Sequence, residues 1–454
     1  MMAAFWFQHA LLPTGWTGPV RIEVEGATIS AVTSQASPAG ASGIGGIAIP
    51  GIPNLHSHAF QRGMAGLTET RGPNADSFWT WRELMYRFLA RLGPEEVEAI
   101  AAYAYMRMLE HGFTLVGEFH YLHHDPSGQS YADPAELAGR IVAAAKATGI
   151  GLTLLPCFYR HGAFGDAPPS AGQRRFITDP DGFCRLVEAS RRHLAALPGS
   201  AMGIAPHSLR AVSPADLRIL LDMFPTGPIH IHAAEQTAEV AACRAELGTA
   251  PVAWLLSEAG VDARWCLIHA THMEEKEVHD LARSSAVAGL CPLTEANLGD
   301  GIFDGVRFAA SGGRFGIGSD SNVITDPAAE LRQLETSQRL ATRARNIMAA
   351  SPGASTGRAL FDSALTGGAQ ALSQRTGTIA PGCRADIVVL DADHPDLAGR
   401  SGDAWLDSWI FGALTGLVRD VICGGQHVVQ EGRHKAAEPI TRRWRSAMGQ
   451  IMDA

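Results

Sequence analysis

The feature that most narrows the fold of this chain is an alternation that begins at Ile47, where short apolar runs ending in polar residues are separated by amphipathic stretches. Short runs suit strands buried on both faces, and the stretches between them carry the helical period needed to cover a sheet. Eight candidate strands can be marked, at 47–58, 114–123, 150–160, 202–210, 228–235, 265–272, 286–297 and 314–321. The helix signals fall between them. Pro94-Glu95-Glu96 opens a segment that closes at Gly112, residues 134–148 close at Gly149, and Ser213-Pro214-Ala215-Asp216 has the form of an N-cap. Eight strand–helix alternations fit a closed (β/α)8 TIM-like barrel better than an open sheet.

The flanks read differently. Val20–Val24 and Thr28–Val32 are strand-like around Gly26, and a small-residue stretch from Ser34 to Gly46 forms a connection. After a helical stretch at 356–372, Ala385–Asp391 returns to a strand pattern, and Val418–Ile422 and Gln426–Gln430 flank Cys423-Gly424-Gly425 as a hairpin would. The expected organisation is an α/β barrel over 47–372, with residues 1–46 and 373–454 meeting in one small β domain that ends in a helix.

Composition removes several classes of function. A net charge of −9 gives no basic face for general nucleic-acid binding. No apolar run approaches the ~20 residues of a membrane span, and the first residues lack the basic start and long apolar core of a secretory leader. The seven cysteines are scattered with no CxxC pair, which points to a reducing cytoplasm.

The chemistry gathers at strand ends. His56 and His58 close the first strand two residues apart, so both imidazoles face one side. His232 ends the fifth strand, preferred over His230 because it is nearer the strand end and is followed by Glu235. Asp320 ends the last strand. Three imidazoles and a carboxylate make a shell for Zn²⁺ or Fe²⁺ rather than Mg²⁺ or Ca²⁺. Glu235 is placed to move protons beside such an ion. His269 ends the sixth strand, either as a ligand or as a base behind the water. His207 and Arg210 end the fourth strand and can line a pocket for an anion, whereas the histidine-rich run from Glu118 to His124 reads as loop or satisfied core, Tyr121 excepted. Trp79 and Trp81 read as packing, with a lid over the mouth as the sharper alternative.

These motifs resemble the amidohydrolase superfamily over roughly 47–371, and within it the formimidoylglutamate deiminases. The closer likeness lies in Leu55-His56-Ser57-His58-Ala59-Phe60-Gln61-Arg62-Gly63-Met64-Ala65-Gly66 and in His230-Ile231-His232-Ala233-Ala234-Glu235-Gln236. The resemblance implies that His56, His58, His232 and Asp320 hold one divalent metal, Zn²⁺ or Fe²⁺, and that Glu235, His269 and Asp320 are catalytic. It implies substrate binding by Gln61, Arg82, Tyr121, His207 and Arg210. It also implies a homodimer in the cytoplasm whose partner is a small dicarboxylate, not a nucleic acid or a membrane. Two-metal relatives bridge their ions with a lysine at a strand end, but Lys146, Lys276 and Lys435 lie elsewhere, so one metal is expected.

The implied reaction is hydrolysis of N-formimino-L-glutamate to N-formyl-L-glutamate and ammonia, a step of histidine degradation. The paired arginines suit its two carboxylates. The rivals are a deaminase of guanine, cytosine or another amidine, and a barrel that has kept its shape without catalysis.

Overall fold

The computed structural model describes residues 2–73, 76–413 and 416–453. Two parallel sheets form its centre. The first holds β1 (Ile52–Ser57), β2 (Phe113–His120), β3 (Gly151–Phe158) and β4 (Ala205–Pro206), the last preceded by the short strand Ala201–Met202. The second holds β5 (Ile229–Ala233), β6 (Trp265–His269), β7 (Val287–Leu290) and β8 (Arg314–Ile317). Every residue of β1, β2 and β3 is buried, as expected of parallel strands covered on both faces.

Isolated bridges join the free edges of the two sheets, Ile204 to Ile229 on one side and Ser57 to Asp320 on the other. Peptide hydrogen bonds reinforce both seams. His232 N donates to His207 O at 2.9 Å, and His58 N donates to Asp320 O at 2.9 Å.

Helices lie between successive strands, and the few whose ends the sequence marks match closely, except that the helix read from residue 134 begins at Glu136. α1 (Phe78–Leu89) starts on Ser77, and α2 (Pro94–His111) carries Pro94 in its first turn. α2 stops at Gly112, whose φ of 107° is open to glycine and strained for other residues. The helices Glu136–Thr148 and Pro214–Met223 likewise meet Gly149 and Ser213 at their expected ends.

The two ends of the chain share a seven-stranded sheet. In it Ile387–Leu390 lies between Val418–Cys423 and Ile47–Pro50, and His9–Leu12 pairs with the far edge of Ile47–Pro50. The final helix, Ala437–Asp453, docks on α2 with Trp444 stacked on Tyr103 at 4.5 Å. No helix among the described residues is long and apolar enough to cross a membrane.

The strand readings need correction at three places. Residues 47–58 are two strands, because the chain turns from the terminal sheet into β1 at Gly51, where any Cβ would meet the Thr114 side chain at 2.3 Å. The run 286–297 is a strand only to Leu290. Pro292 supplies no N–H to a ladder and instead opens the helix Pro292–Leu298. In the run 202–210 only short pieces pair, and residues after Pro206 leave the sheet.

Glu118, on β2, ties this scaffold together. Its Oε1 accepts from Ala59 N at 2.7 Å, and its Oε2 accepts from the Tyr105 hydroxyl at 3.0 Å. Burial pushes the carboxyl up to about 7, against the pull of those donors. Its contribution to stability is therefore full below the unfolded value near 4.5 and is lost as pH rises through 7. The Glu118→Gln variant should flatten the fall in melting temperature between pH 5 and 8. An unchanged slope would show that Glu118 does not set it.

Candidate active site

At the C-terminal ends of the parallel strands three imidazoles converge. The ligand atoms of His56, His58 and His232 all lie within 4.8 Å of one another. His56 Nε2 and His232 Nε2 are 3.2 Å apart, and Asp320 Oδ1 lies 3.4 Å from the Nε2 of both His56 and His58. His230, the competitor for His232, hydrogen-bonds through Nε2 to Ala371 O at 2.8 Å and takes no part.

Backbone carbonyls fix which nitrogens face inward. His58 Nδ1 donates to Phe119 O at 2.8 Å, and His232 Nδ1 donates to His207 O at 3.1 Å. A carbonyl can only accept, so each Nδ1 carries the proton and each Nε2 keeps a lone pair. Burial lowers His56 to about 3 and holds His58 and His232 below their ordinary value, so the rings are neutral. Neutral imidazole is the ligating form. Burial would raise Asp320, but its hydrogen bond to His56 and the surrounding imidazoles outweigh it and keep it ionised. The donor set of three nitrogens and one carboxylate fits a zinc-type ion in number and chemistry.

The shell is locked from behind by residues that sequence reasoning missed. Asn54 Nδ2 donates to Ser319 Oγ at 2.6 Å, Ser319 Oγ donates to Asn322 Oδ1 at 2.6 Å, and Asn322 Nδ2 donates to His58 O at 3.0 Å. Ala234, His269, Ala270, Asp320 and Asn322 all have positive φ, a conformation that non-glycine residues adopt at a cost. The polar run Ser319-Asp320-Ser321-Asn322 after an apolar strand was the available signal.

Beside these groups stand a buried carboxyl and a buried imidazole. Glu235 Oε1 is 3.8 Å from His269 Nε2, and His269 Nε2 is 3.7 Å from Asp320 Oδ2. Burial raises Glu235 to about 7. Burial opposes a charge on His269, but Glu235, the hydrogen bond that His269 donates to Glu295, and Asp320 raise it to about 10. Glu295 Oε1, 3.2 Å from His269 Nδ1, was also missed, because its segment had been read as strand rather than helix.

All five residues expected to bind substrate line the same cavity as Glu235, His269 and Asp320. Gln61 Nε2 donates to the Tyr121 hydroxyl at 2.9 Å, and the Tyr121 hydroxyl donates to Met85 Sδ at 3.3 Å. His207 meets the Tyr159 ring edge-on, with centroids 4.5 Å apart. Arg82 and Arg210 reach the cavity with the Nε of each buried and unpartnered. Phe78 and Trp81 line it as well.

The readings of ordinary packing also have counterparts. His123 and His124 bond to the carbonyls of Cys157 and Ile177, His272 bonds to that of Asp300, and all seven cysteines are free. A cavity of about 390 Å³ lies around Arg107, Glu110 and His111. It is the roomier of the two. No cluster of metal-ligating atoms converges there among the described residues, so the chemistry favours the strand-end cavity.

Comparison with known proteins agrees with the geometry. Residues 47–428 match the sequence profile of the Amidohydrolase family. A formimidoylglutamate deiminase of Pseudomonas aeruginosa is 50% identical over 454 residues, all of both chains. A 5-methylthioadenosine/S-adenosylhomocysteine deaminase of Nitratidesulfovibrio vulgaris is 27% identical, covering 89% of this chain and 84% of the other. A crystal structure of an amidohydrolase from Brucella melitensis superposes with a TM-score of 0.94 at 50% identity, covering 99% of this chain and all of the other. An adenosine deaminase of Xanthomonas campestris with bound zinc shares the fold at a TM-score of 0.81, with 20% identity, covering all of this chain and 99% of the other.

The convergence of lone pairs makes a direct test available. The protein should bind close to one equivalent of Zn²⁺, and His232→Asn or His58→Asn should weaken that binding by about a hundredfold or more in a chelator competition. Wild-type affinity in both variants would place the metal elsewhere.

Proposed function

We propose, from the premise that this chain belongs to the amidohydrolase family, that it hydrolyses N-formimino-L-glutamate to N-formyl-L-glutamate and ammonia, as in histidine degradation. The observation that carries the substrate is a pair of arginines, half-buried Arg82 and buried Arg210, each with a buried and unpartnered Nε, on the wall of the cavity that holds Glu235 and Asp320. A nucleobase offers such cations only neutral carbonyl and ring-nitrogen acceptors, whereas a glutamate skeleton offers two carboxylates.

His56, His58, His232 and Asp320 are assigned to one divalent metal, Zn²⁺ by preference and Fe²⁺ by equal fit of the donor set. When bound, the ion supplies Lewis acidity that eases ionisation of water near neutral pH.

The chain's own residues do the rest. Arg82 and Arg210 take the carboxylates, and the hydrogen-bonded pair of Gln61 and Tyr121 bounds the side of the cavity on which the substrate is oriented. His207, whose charge burial suppresses, presents a neutral ring there. Glu235, poised near 7, accepts the proton released by the attacking water at a carboxylate oxygen. It returns that proton to the amidine nitrogen, and the remaining hydroxyl proton of the adduct passes through the same carboxylate to that nitrogen as the C–N bond breaks, so ammonia leaves and the carbon keeps the oxygen as a formyl carbonyl. His269, charged and held between Glu235, Glu295 and Asp320, steadies the negative charge of the attacking group and fixes the Glu235 carboxylate.

The scaffold is read as a closed (β/α)8 barrel over 47–372, with 1–46 and 373–454 as the small β domain. The bridges at Ile204–Ile229 and Ser57–Asp320 support closure, and the sheet shared by the two chain ends supports the division, although Ile47–Pro50 is seated in that sheet. Seven unpaired thiols suit the cytoplasm.

Zinc-loaded protein should release ammonia from N-formimino-L-glutamate in step with N-formyl-L-glutamate. Arg82→Met and Arg210→Met should each raise KM by about 10–100-fold, the scale of a lost charge-assisted hydrogen bond, and leave slow turnover of plain formamidine unchanged. Preferred turnover of guanine or cytosine would replace the substrate and keep the hydrolase.

A further inference from the structure

Resting on the dicarboxylate reading above, we propose that Trp79 is a positioning residue that holds Arg82 and Arg210 as one anion clamp. Trp79, Arg82 and Tyr86 fall on one face of α1 at spacings of three and four residues. The Arg82 guanidinium carbon lies 4.6 Å from the Trp79 ring centroid and 5.6 Å from that of Tyr86, so this cation is sandwiched between two aromatic faces of its own helix. Arg210 arrives from the other side of the cavity, after β4, and its guanidinium carbon lies 5.8 Å from the same Trp79 ring.

Among the described residues neither arginine has an ion-pair partner, and the Nε of each is buried without a hydrogen bond. Glu235, Glu239 and the tyrosines 86 and 159 lie close enough to favour the charge on Arg210, but none forms an ion pair with it. Two cations so placed repel one another and keep long, flexible stems. An indole ring that both guanidiniums approach offsets part of that repulsion and limits their rotamers without using their N–H groups. The donors are left aimed and free for a ligand.

Trp79 itself is not on the cavity wall, which Phe78, Trp81 and Arg82 form, so it acts through the arginines and not on the substrate. Its own place is set by the start of α1. Ser77 Oγ accepts from Trp79 N at 3.3 Å, and Ser77 N donates to Thr80 Oγ1 at 2.9 Å.

The test uses the metal-loaded enzyme with Trp79→Leu and the conservative Trp79→Phe, read by glutarate binding in calorimetry and by steady-state kinetics on N-formimino-L-glutamate. Trp79→Leu should weaken glutarate binding and raise KM by about tenfold, with kcat within about twofold of wild type, and Trp79→Phe should recover most of both losses. The advantage of N-formimino-L-glutamate over N-formimino-4-aminobutyrate, which lacks one carboxylate, should shrink in Trp79→Leu. Unchanged glutarate affinity in Trp79→Leu, or a loss confined to kcat, overturns the clamp. Wild-type protein that binds glutarate without turning over N-formimino-L-glutamate would sink the substrate reading and leave the clamp to be judged by the calorimetry.

Discussion

Two peptide hydrogen bonds between the first and last parallel strands govern the geometry of the site. Asp320 N donates to His56 O, and His58 N donates to Asp320 O, each at 2.9 Å. They set the depth at which three side chains from opposite ends of the sequence meet, and the Asn54–Ser319–Asn322 chain braces them from behind. Without that seam His56 and His58 would have no fixed relation to Asp320. The positive φ of Asp320 and Asn322 is a local cost that the seam offsets.

The imidazoles are prepared by the same economy of backbone. Carbonyls of Phe119 and His207, each at the end of a neighbouring strand, hold the Nδ1 protons of His58 and His232. Strand ends therefore supply the imidazoles and also select their tautomers. On the other side of the cavity the logic reverses. Arg82 and Arg210 have donors that the protein leaves unused, and such groups persist in a buried wall when a ligand is to satisfy them. One wall gathers lone pairs and the other gathers cations, which matches a substrate with a hydrolysable amidine at one end and carboxylates at the other.

Much of this was legible in the sequence because it depends on period and on strand ends. The His56-Ser57-His58 spacing, the parity of His232 and the apolar run into Asp320 each follow from two-residue alternation, and the bounds of α2 follow from Pro94 and Gly112. What escaped depends on contacts remote in sequence or on a misread element. Gly51 hid the break between two strands because the crowding at Thr114 is invisible locally. The helix Pro292–Leu298 was absorbed into a strand, and Glu295, which orients His269, went with it. Asn54 could not be found at all, since its partner lies 265 residues away.

The claim on which the chemistry turns is that Glu235 carries the proton while the metal shell and the anion clamp stand without it. The decisive measurement takes one preparation of Glu235→Gln and determines its bound metal, its affinity for N-formyl-L-glutamate and its rate of ammonia release. The expected result is unchanged metal content, near-normal affinity and a rate lower by about a thousandfold, the scale of a lost general acid–base. A variant with full metal that still turns over near the wild-type rate would contradict the mechanism.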